Sequence, residues 1–371
     1  MTDFSTVKPG ETAAPLAMRD IQPGRLAGVQ SSGGVLRVVD DAEWDAHIAR
    51  LGSTDTYSCA AYHRASALLE PEGTRPILLA FGDEAGEVAL PLLMRPLPDG
   101  EGWDATSAYG YGGPVGRGAP DLTAFGAALD EWAGEHGVVS TFLRLNPLLG
   151  NGRLVPPMAE LVDVASTVRW DLSPGRDLRQ GLHSDQRRSV RKAERAGLTI
   201  TVTPRPADLE QVRDLYAATM LRQQAADFFY FPGTYWQSLL TDDPLLIPLL
   251  VEGRLEGRLV SALLCFVSDR WLHAHVSAGD DMARAIGASA ACYLAAAEWG
   301  QAHALTDFHL GGGVGGSTTS PLYAFKQRFD PGSQPGRFQV AKFVHDRNRY
   351  RHLAGTDATD GFFPPWRRPQ E

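Results

Sequence analysis

"AFGDEAGEVALPLL" (80–93) and "VEGRLEGRLVSALL" (251–264) carry one pattern, 171 residues apart. Gly82 stands opposite Gly253 and Gly86 opposite Gly257, and each stretch then runs into an apolar segment of equal length. Each predicts a β-hairpin with a tight glycine turn. The correspondence continues outward. Trp103 in "WDATSAYGYGG" matches Trp271 in "WLHAHVSAGDD". A helical stretch follows in each half, 121–137 and 282–303. After it come "VVSTFLRLNP" (138–147) and "ALTDFHLGGG" (304–313), with Phe142 opposite Phe308. The offset between matched positions stays between 166 and 171 residues. So small a drift over four elements marks a duplicated unit.

The mixed order of helices and strands predicts an α/β (α+β) architecture, two tandem units that are each a mixed sheet flanked by helices. The expected units are 35–168 and 169–334, with Pro174 and Gly175 breaking the chain near their junction. Residues 1–34, polar and rich in Gly and Pro, are expected to form a flexible arm. Residues 335–360 are expected to pack back on the first unit.

A chain of 371 residues is long for one domain, and its 43% hydrophobic content is ordinary for a globular protein. The net charge of −9 argues against a bulk nucleic-acid coat, whose affinity rests on neutralising phosphates, and no DNA partner is expected. No apolar run reaches the roughly 18 residues of a membrane span. Cys59, Cys265 and Cys292 form no CxxC pair, so a reducing, cytoplasmic setting is expected. His273 and His275 would share a face of a strand, but no second pair of ligands lies near them, and no metal is expected.

Four lysines stand against 31 arginines. "LHSDQRRSVRKAERAGL" (182–198) is periodic. At 100° per residue Arg187, Arg188, Arg191, Lys192 and Arg195 fall in one arc of about 140°, with Leu182, Val190 and Ala193 facing the other way. Ser184 suits an N-cap and Gly197 a C-terminal cap. A run so nearly of one sign in an acidic chain is either a solvated face or a face that meets an anion.

"HLGGGVGGSTTSPLYAFKQRFDP" (309–331) packs five glycines into its first eight residues and reaches Phe325 and Lys326 ten residues on. A Walker A loop needs its lysine directly after the last glycine, which excludes Lys326. Gly311, Gly313 and Gly316 fit GxGxxG, but the loop leads into "STTSPL" and no βαβ unit surrounds it. Gly311, Gly312 and Gly313 remain candidates for a backbone approach to an acyl carbonyl or a phosphate.

"RRSVRKAERAGL", "HLGGG", "SPLYAFKQRFDP" and the first-half "SAYGYGGPVG" (107–116) together resemble the Fem-type aminoacyltransferases, the peptidoglycan bridge-forming family, within the wider GNAT-like and BioF2-like acetyltransferases. The matches span 107 to about 331. The resemblance implies two GNAT-like units and transfer of an amino acid from aminoacyl-tRNA, as co-substrate with no bound cofactor, onto the amine of a small molecule, of antibiotic type, or of a peptide precursor. It implies that Phe325 shapes the transfer site and that Lys326 stabilises the reacting acyl group. Many cell-wall members insert a long coiled-coil arm in the second unit. This chain has no stretch long enough for one, which weakens a cell-wall substrate and leaves the transfer chemistry untouched.

Amide formation from an ester or thioester needs an unprotonated amine, a stabilised oxyanion and close positioning of the two. Lys326, expected to be open to substrate, suits the oxyanion. Asp307 and His309 flank Phe308 on one strand face, and either is a candidate base, His309 alternatively bonding the loop. Tyr109, Tyr111, Phe228, Phe229 and Tyr230 are candidates for the acceptor groove, or core residues. A rival donor is acetyl-CoA: "RAIGAS" (284–289) partly fits the R-x-x-G-x-G/A turn that GNAT enzymes place under a CoA pyrophosphate, with Ser289 off pattern. A third reading is a GNAT-like pair that only binds a partner.

Overall fold

The computed structural model describes residues 29–368 except 32 and 269. Residues 1–28 of the expected arm lie outside the described residues, while its last part is not a loose arm: Val29–Ser31 form a strand that pairs with the one beginning at Gly34. The strands are β1 (Val29–Ser31), β2 (Gly34–Val39), β3 (Arg75–Gly82), β4 (Gly86–Pro96), β5 (Trp103–Thr106), β6 (Val115–Gly118), β7 (Val138–Arg144) and β8 (Glu160–Asp171). They continue with β9 (Thr199–Pro204), β10 (Ile247–Leu255), β11 (Arg258–Val267), β12 (Trp271–Gly279), β13 (Asp307–Gly311) and β14 (Gly336–Val344). All fourteen join one mixed sheet in the order β1-β2-β3-β4-β5-β7-β14-β8-β13-β12-β11-β10-β9, with β6 on β4.

The opening stretches form the two hairpins. In the first, Gly82 pairs with Glu87, and the Asp83 carboxylate accepts from the N–H groups of Ala85 and Gly86 to close a four-residue loop. In the second, Leu255 pairs with Arg258 across the tighter turn Glu256–Gly257. Both hairpins feed a strand, a 15-residue helix (Leu122–His136, Ala288–Ala302) and a second strand parallel to the first. The strand pairing corrects one sequence match. Two residues after the matched tryptophans, Ala105 pairs with Thr141 and His273 with His309, so Phe142, the residue after Thr141, takes the register of Leu310 rather than that of Phe308.

The sheet is continuous because the halves exchange their last strands. β7 takes β14, from the end of the chain, as its antiparallel neighbour, and β13 takes β8, from the middle. β14 and β8 then pair with each other. β8 runs across the expected junction at residue 168, its first part on β14 and its last on β13. A shared core reinforces the join. Tyr57, Tyr62 and Ala108 pack with Tyr216, Phe231 and Phe266, each large buried ring stabilising the fold by about 1.5–3 kcal/mol. Asp55 and His273, both buried, meet across the halves at 3.0 Å.

Candidate active site

β12 and β13 pair only from Trp271–His273 to Asp307–His309. Beyond that point β12 stays with β11 while β13 stays with β8, and the two strands fork. A cavity of about 1010 Å³ sits in the fork, with residues 274–279 of β12 on one wall and Leu310, Gly313 and Gly315 on the other. Past His273 this edge of β12 has no strand partner among the described residues, and at Gly279 the N–H donates to Thr219 Oγ1 while the carbonyl accepts from Arg222. In the first half the equivalent strands do not fork in this way. Ser107 N–H donates to the Phe142 carbonyl, Gly112 bridges to Leu145, and Asn151 Nδ2 donates to the carbonyls of Gly112 and Pro114.

Phe325 and Lys326 enter the cavity from the helix Pro321–Gln327. Ser320 caps it by accepting from the Tyr323 N–H, and Pro321 occupies its first turn, where a missing N–H costs nothing. Buried Tyr323 and Phe329 anchor it to the second core. The Phe325 ring meets Tyr293 and Phe329 edge-on, and its carbonyl accepts from Gln186 Nε2 at 2.9 Å. Lys326 is more enclosed than the sequence suggested. Its Nζ donates to the Gly312 carbonyl oxygen at 2.8 Å and has no carboxylate partner among the described residues, and burial pushes its pKa down to about 8. Gly311 lies beside it: a Cβ there would meet Lys326 Nζ and the Tyr111 hydroxyl at an ordinary contact distance of 3.4 Å, so it is the φ of +74° that calls for glycine. The glycine loop thus meets the lysine through a carbonyl.

Asp307 and His309 are both buried, and neither lines the cavity. Asp307 pairs with Arg169 of the neighbouring strand and accepts from Thr306 Oγ1. His309 does not bond the loop. Its ring lies against Tyr111 (4.8 Å) and edge-on to His273, its Nε2 has no partner among the described residues, and burial above all, then His273 and Lys326, holds its pKa well below the usual histidine range.

Of the aromatic candidates, Tyr109 and Phe229 line the cavity. Tyr109 touches Phe228, Phe231 and His275, and burial pushes its phenol up to about 12. Tyr111 lies deeper, between Tyr57, His309 and Phe338. Phe228 and Tyr230 are about 40% exposed and do not line it.

The basic helix spans Ser184–Arg195. His183, not Ser184, is the N-cap, accepting from the Asp185 N–H. Gly197 closes the other end as expected of a glycine there: its N–H donates to Glu194 and the Leu198 N–H to Ala193, a Schellman motif. Val190 and Ala193 face the core, while Asp185, Gln186 and Ser189 face the cavity. Arg188, Arg191, Lys192 and Arg195 are exposed and outside the cavity. Arg187 is half-buried and donates to the carbonyls of Gln180 and Leu182.

The cavity's own cations are Lys326, Arg222, Arg284 and Arg328. Sequence reasoning missed Arg222, which lies in no motif, and Arg328, which stands two residues past Lys326 in "SPLYAFKQRFDP" without a role of its own in that reading. Arg284 opens the turn 284–289. There Gly287 has φ +80°, and a Cβ would stand 2.7 Å from the Ser189 carbonyl oxygen, so the basic helix seats directly on the turn. Off-pattern Ser289 meets Ser261 Oγ at 3.2 Å. The helix Ala288–Ala302 begins at the cavity without a side-chain cap, leaving its first N–H groups available to an anion. His275, also on the wall, carried only a metal reading in the sequence; among the described residues no group of three or more His, Cys, Asp or Glu could hold a metal ion. Among those residues, too, no helix is long and apolar enough to cross a membrane.

Residues 182–327, which hold the basic helix, the turn, the glycine loop and Lys326, match the family described as acetyltransferase (GNAT) domain. No curated protein matches the chain. The fold is similar to the crystal structure of FemX (TM-score 0.63, 14% identity, 86% of this chain and 99% of that one). It is similar as well to L-PGS from Bacillus licheniformis (TM-score 0.55, 14% identity, 86% and 95%). A tandem GNAT protein from the clavulanic acid biosynthesis pathway also matches (TM-score 0.52, 12% identity, 84% and 98%). The chain has the tandem GNAT fold, two mixed units built into one long sheet.

Proposed function

We propose that the chain is an N-acyltransferase that forms an amide by moving an amino acid from aminoacyl-tRNA onto the amine of a small molecule or peptide precursor. The observation that carries this reading is Lys326 beside Phe325: a lysine without a carboxylate partner among the described residues, held by the Gly312 carbonyl at the forked strands of a GNAT fold. A fixed ammonium there suits the oxyanion that forms when an amine adds to an acyl carbonyl. One such donor is worth on the order of 3 kcal/mol in the transition state, or about a hundredfold in rate. Phe325 walls the acyl group, and Tyr109 and Phe229 border the acceptor's approach.

The donor reading rests on the helix Ser184–Arg195. One of its faces lines the cavity and another presents exposed Arg188, Arg191, Lys192 and Arg195. A donor with a phosphate backbone running past the cavity would meet both. The other specific arrangement is the Gly287 turn and helix N-terminus beside Arg222, Arg284 and Arg328, which suits a pyrophosphate and supports acetyl-CoA as the alternative donor.

One assay separates the two. Purified protein receives radiolabelled aminoacyl-tRNA or acetyl-CoA, in turn, with a panel of amines. Transfer abolished by RNase and not restored by CoA esters is the expected result. Transfer from acetyl-CoA alone moves the assignment to the alternative, and no transfer from either overturns both.

A further inference from the structure

His275 sits on a bulge of β12. Ala274 pairs with Cys265 and Val276 with Leu264, so His275 has no partner position on β11. On its other side β12 has already parted from β13 after His273. A bulge re-aims its side chain, and this one turns an imidazole onto the wall of the cavity that also holds Lys326. The ring is fixed by aromatic neighbours, Phe266 at 4.4 Å, Tyr109 at 5.8 Å and Phe231 at 6.5 Å. Nε2 lies 2.7 Å from the hydroxyl of fully buried Tyr235, while Nδ1 has no partner among the described residues.

The titratable groups around the ring are Tyr62, Tyr109, Tyr235 and His273, with no carboxylate among them. Burial first, then His273, lowers its pKa to about 3, so the ring is neutral at physiological pH. In the tautomer that gives Nε2–H to the Tyr235 hydroxyl oxygen, Nδ1 is an open acceptor. Two carboxylates also line the cavity, and both are engaged. Asp280 caps Ala283 and pairs with Arg258 at 2.6 Å, and Asp185 faces Arg188 and Arg328.

We propose that His275 is a catalytic residue that takes the acceptor amine's proton. The inference rests on the acyl-transfer reading above. The neutral amine forms the new C–N bond, and the carbonyl electron pair moves onto oxygen beside Lys326. The nitrogen, now positively charged, gives its proton to His275 Nδ1. Collapse restores the carbonyl and breaks the bond to the donor's ester oxygen, or to sulfur in a thioester. That leaving atom takes the proton back from His275, and the imidazole is neutral again. Two effects favour the transfer to this weakly basic imidazole: a nitrogen bonded to the acyl carbon is more acidic than a free ammonium, and the imidazolium arises in the same cavity as a new oxyanion, which stabilises it.

The test compares wild type, His275→Gln, His275→Ala and Tyr235→Phe, using whichever of aminoacyl-tRNA or acetyl-CoA wild type accepts. Ethylamine and trifluoroethylamine serve as surrogate acceptors. His275→Gln and His275→Ala are expected to lower kcat about a hundredfold or more with ethylamine, with donor KM unchanged. The loss should be much smaller with trifluoroethylamine, whose bonded nitrogen sheds its proton unaided. Tyr235→Phe, which frees the ring, should lower kcat about tenfold with the same dependence on the amine. His275→Gln keeps a neutral side chain of similar size, so folding, followed by thermal melting, is expected to survive even where His275→Ala does not. Equal losses with both amines, or a His275→Gln protein as fast as wild type, overturn this role and leave acyl transfer standing. A wild-type protein that transfers from neither donor overturns both.

Discussion

Lys326 Nζ donates to the Gly312 carbonyl oxygen at 2.8 Å, tying a short helix to the glycine loop fourteen residues before it. The bond holds the ammonium at the cavity wall, where no carboxylate among the described residues pairs with it. Lys326→Met is therefore expected to lower kcat about a hundredfold or more while donor affinity changes little. Lys326→Arg should rescue only in part, because a planar guanidinium cannot place its charge where a compact ammonium sits. Single-turnover rates set against equilibrium donor binding check this. A loss confined to donor affinity would make the loop a phosphate cradle instead.

The pH dependence follows from the same residue. With a pKa near 8, Lys326 carries its charge at pH 7 and loses it above, so the acyl-transfer rate per unprotonated acceptor amine should fall as pH rises through about 8. Stability runs the other way. Between about pH 8 and 10.5 the unfolded chain holds this proton and the folded chain does not, so folding strengthens as pH rises through that window. Below it the buried charge costs on the order of 2–3 kcal/mol. Lys326→Met removes that cost. Its effect on unfolding free energy should be more favourable at pH 7 than at pH 10 by about that amount, as denaturant titrations at the two pH values would show.

The exposed basic face of the helix Ser184–Arg195 is read here as a phosphate-contacting surface. Changing Arg191, Lys192 and Arg195 together to Gln should weaken tRNA binding and lower the slope of log K against log salt by about two. Melting temperature should hold, since all three are exposed and the core face belongs to Val190 and Ala193. Arg187 is left intact because it holds the carbonyls of Gln180 and Leu182. An unchanged slope would return the helix to a solvated face.

Gly287 is the contact point between that helix and the cavity turn. Gly287→Ala places a methyl 2.7 Å from the Ser189 carbonyl and forces φ +80° on a residue with a side chain. The expected loss is about 1–3 kcal/mol in stability, measured by urea unfolding. A neutral result would mean that the two helices separate easily.

Asp104 anchors the end of the chain to the first unit. Fully buried, it pairs with Arg95 and accepts from Trp366 Nε1 and Arg367 Nε at 2.8 Å. Asp104→Ala leaves the Arg95 charge buried with only Glu70, so a loss of about 3–5 kcal/mol is expected, with faster proteolysis of the C-terminal segment. Limited digestion alongside urea unfolding tests both.

The duplication was legible in the sequence because hairpin turns, parallel strands and their connecting helix are local patterns. Glycine at a turn and apolar residues along a strand are dictated by backbone geometry within a few residues. The same locality explains why the basic arc and the Gly197 stop could be read from 182–198. It also sets the limit of such reading. A two-residue error in matching Phe142 to Phe308 arose because only pairing with β5 and β12 defines the register. The strand exchange between β8 and β14 joins residues far apart in the chain, and no local pattern announces it. The site divided along the same line. The sequence determined that Phe325 and Lys326 follow a glycine loop and that a GNAT-like unit surrounds them. Tertiary structure decided that Lys326 is enclosed, that Asp307 is spent on Arg169, and that His275, Arg222 and Arg328 share the cavity. Burial and charge pairing depend on which distant segments pack together, and those contacts exist only once the sheet has closed around the fork.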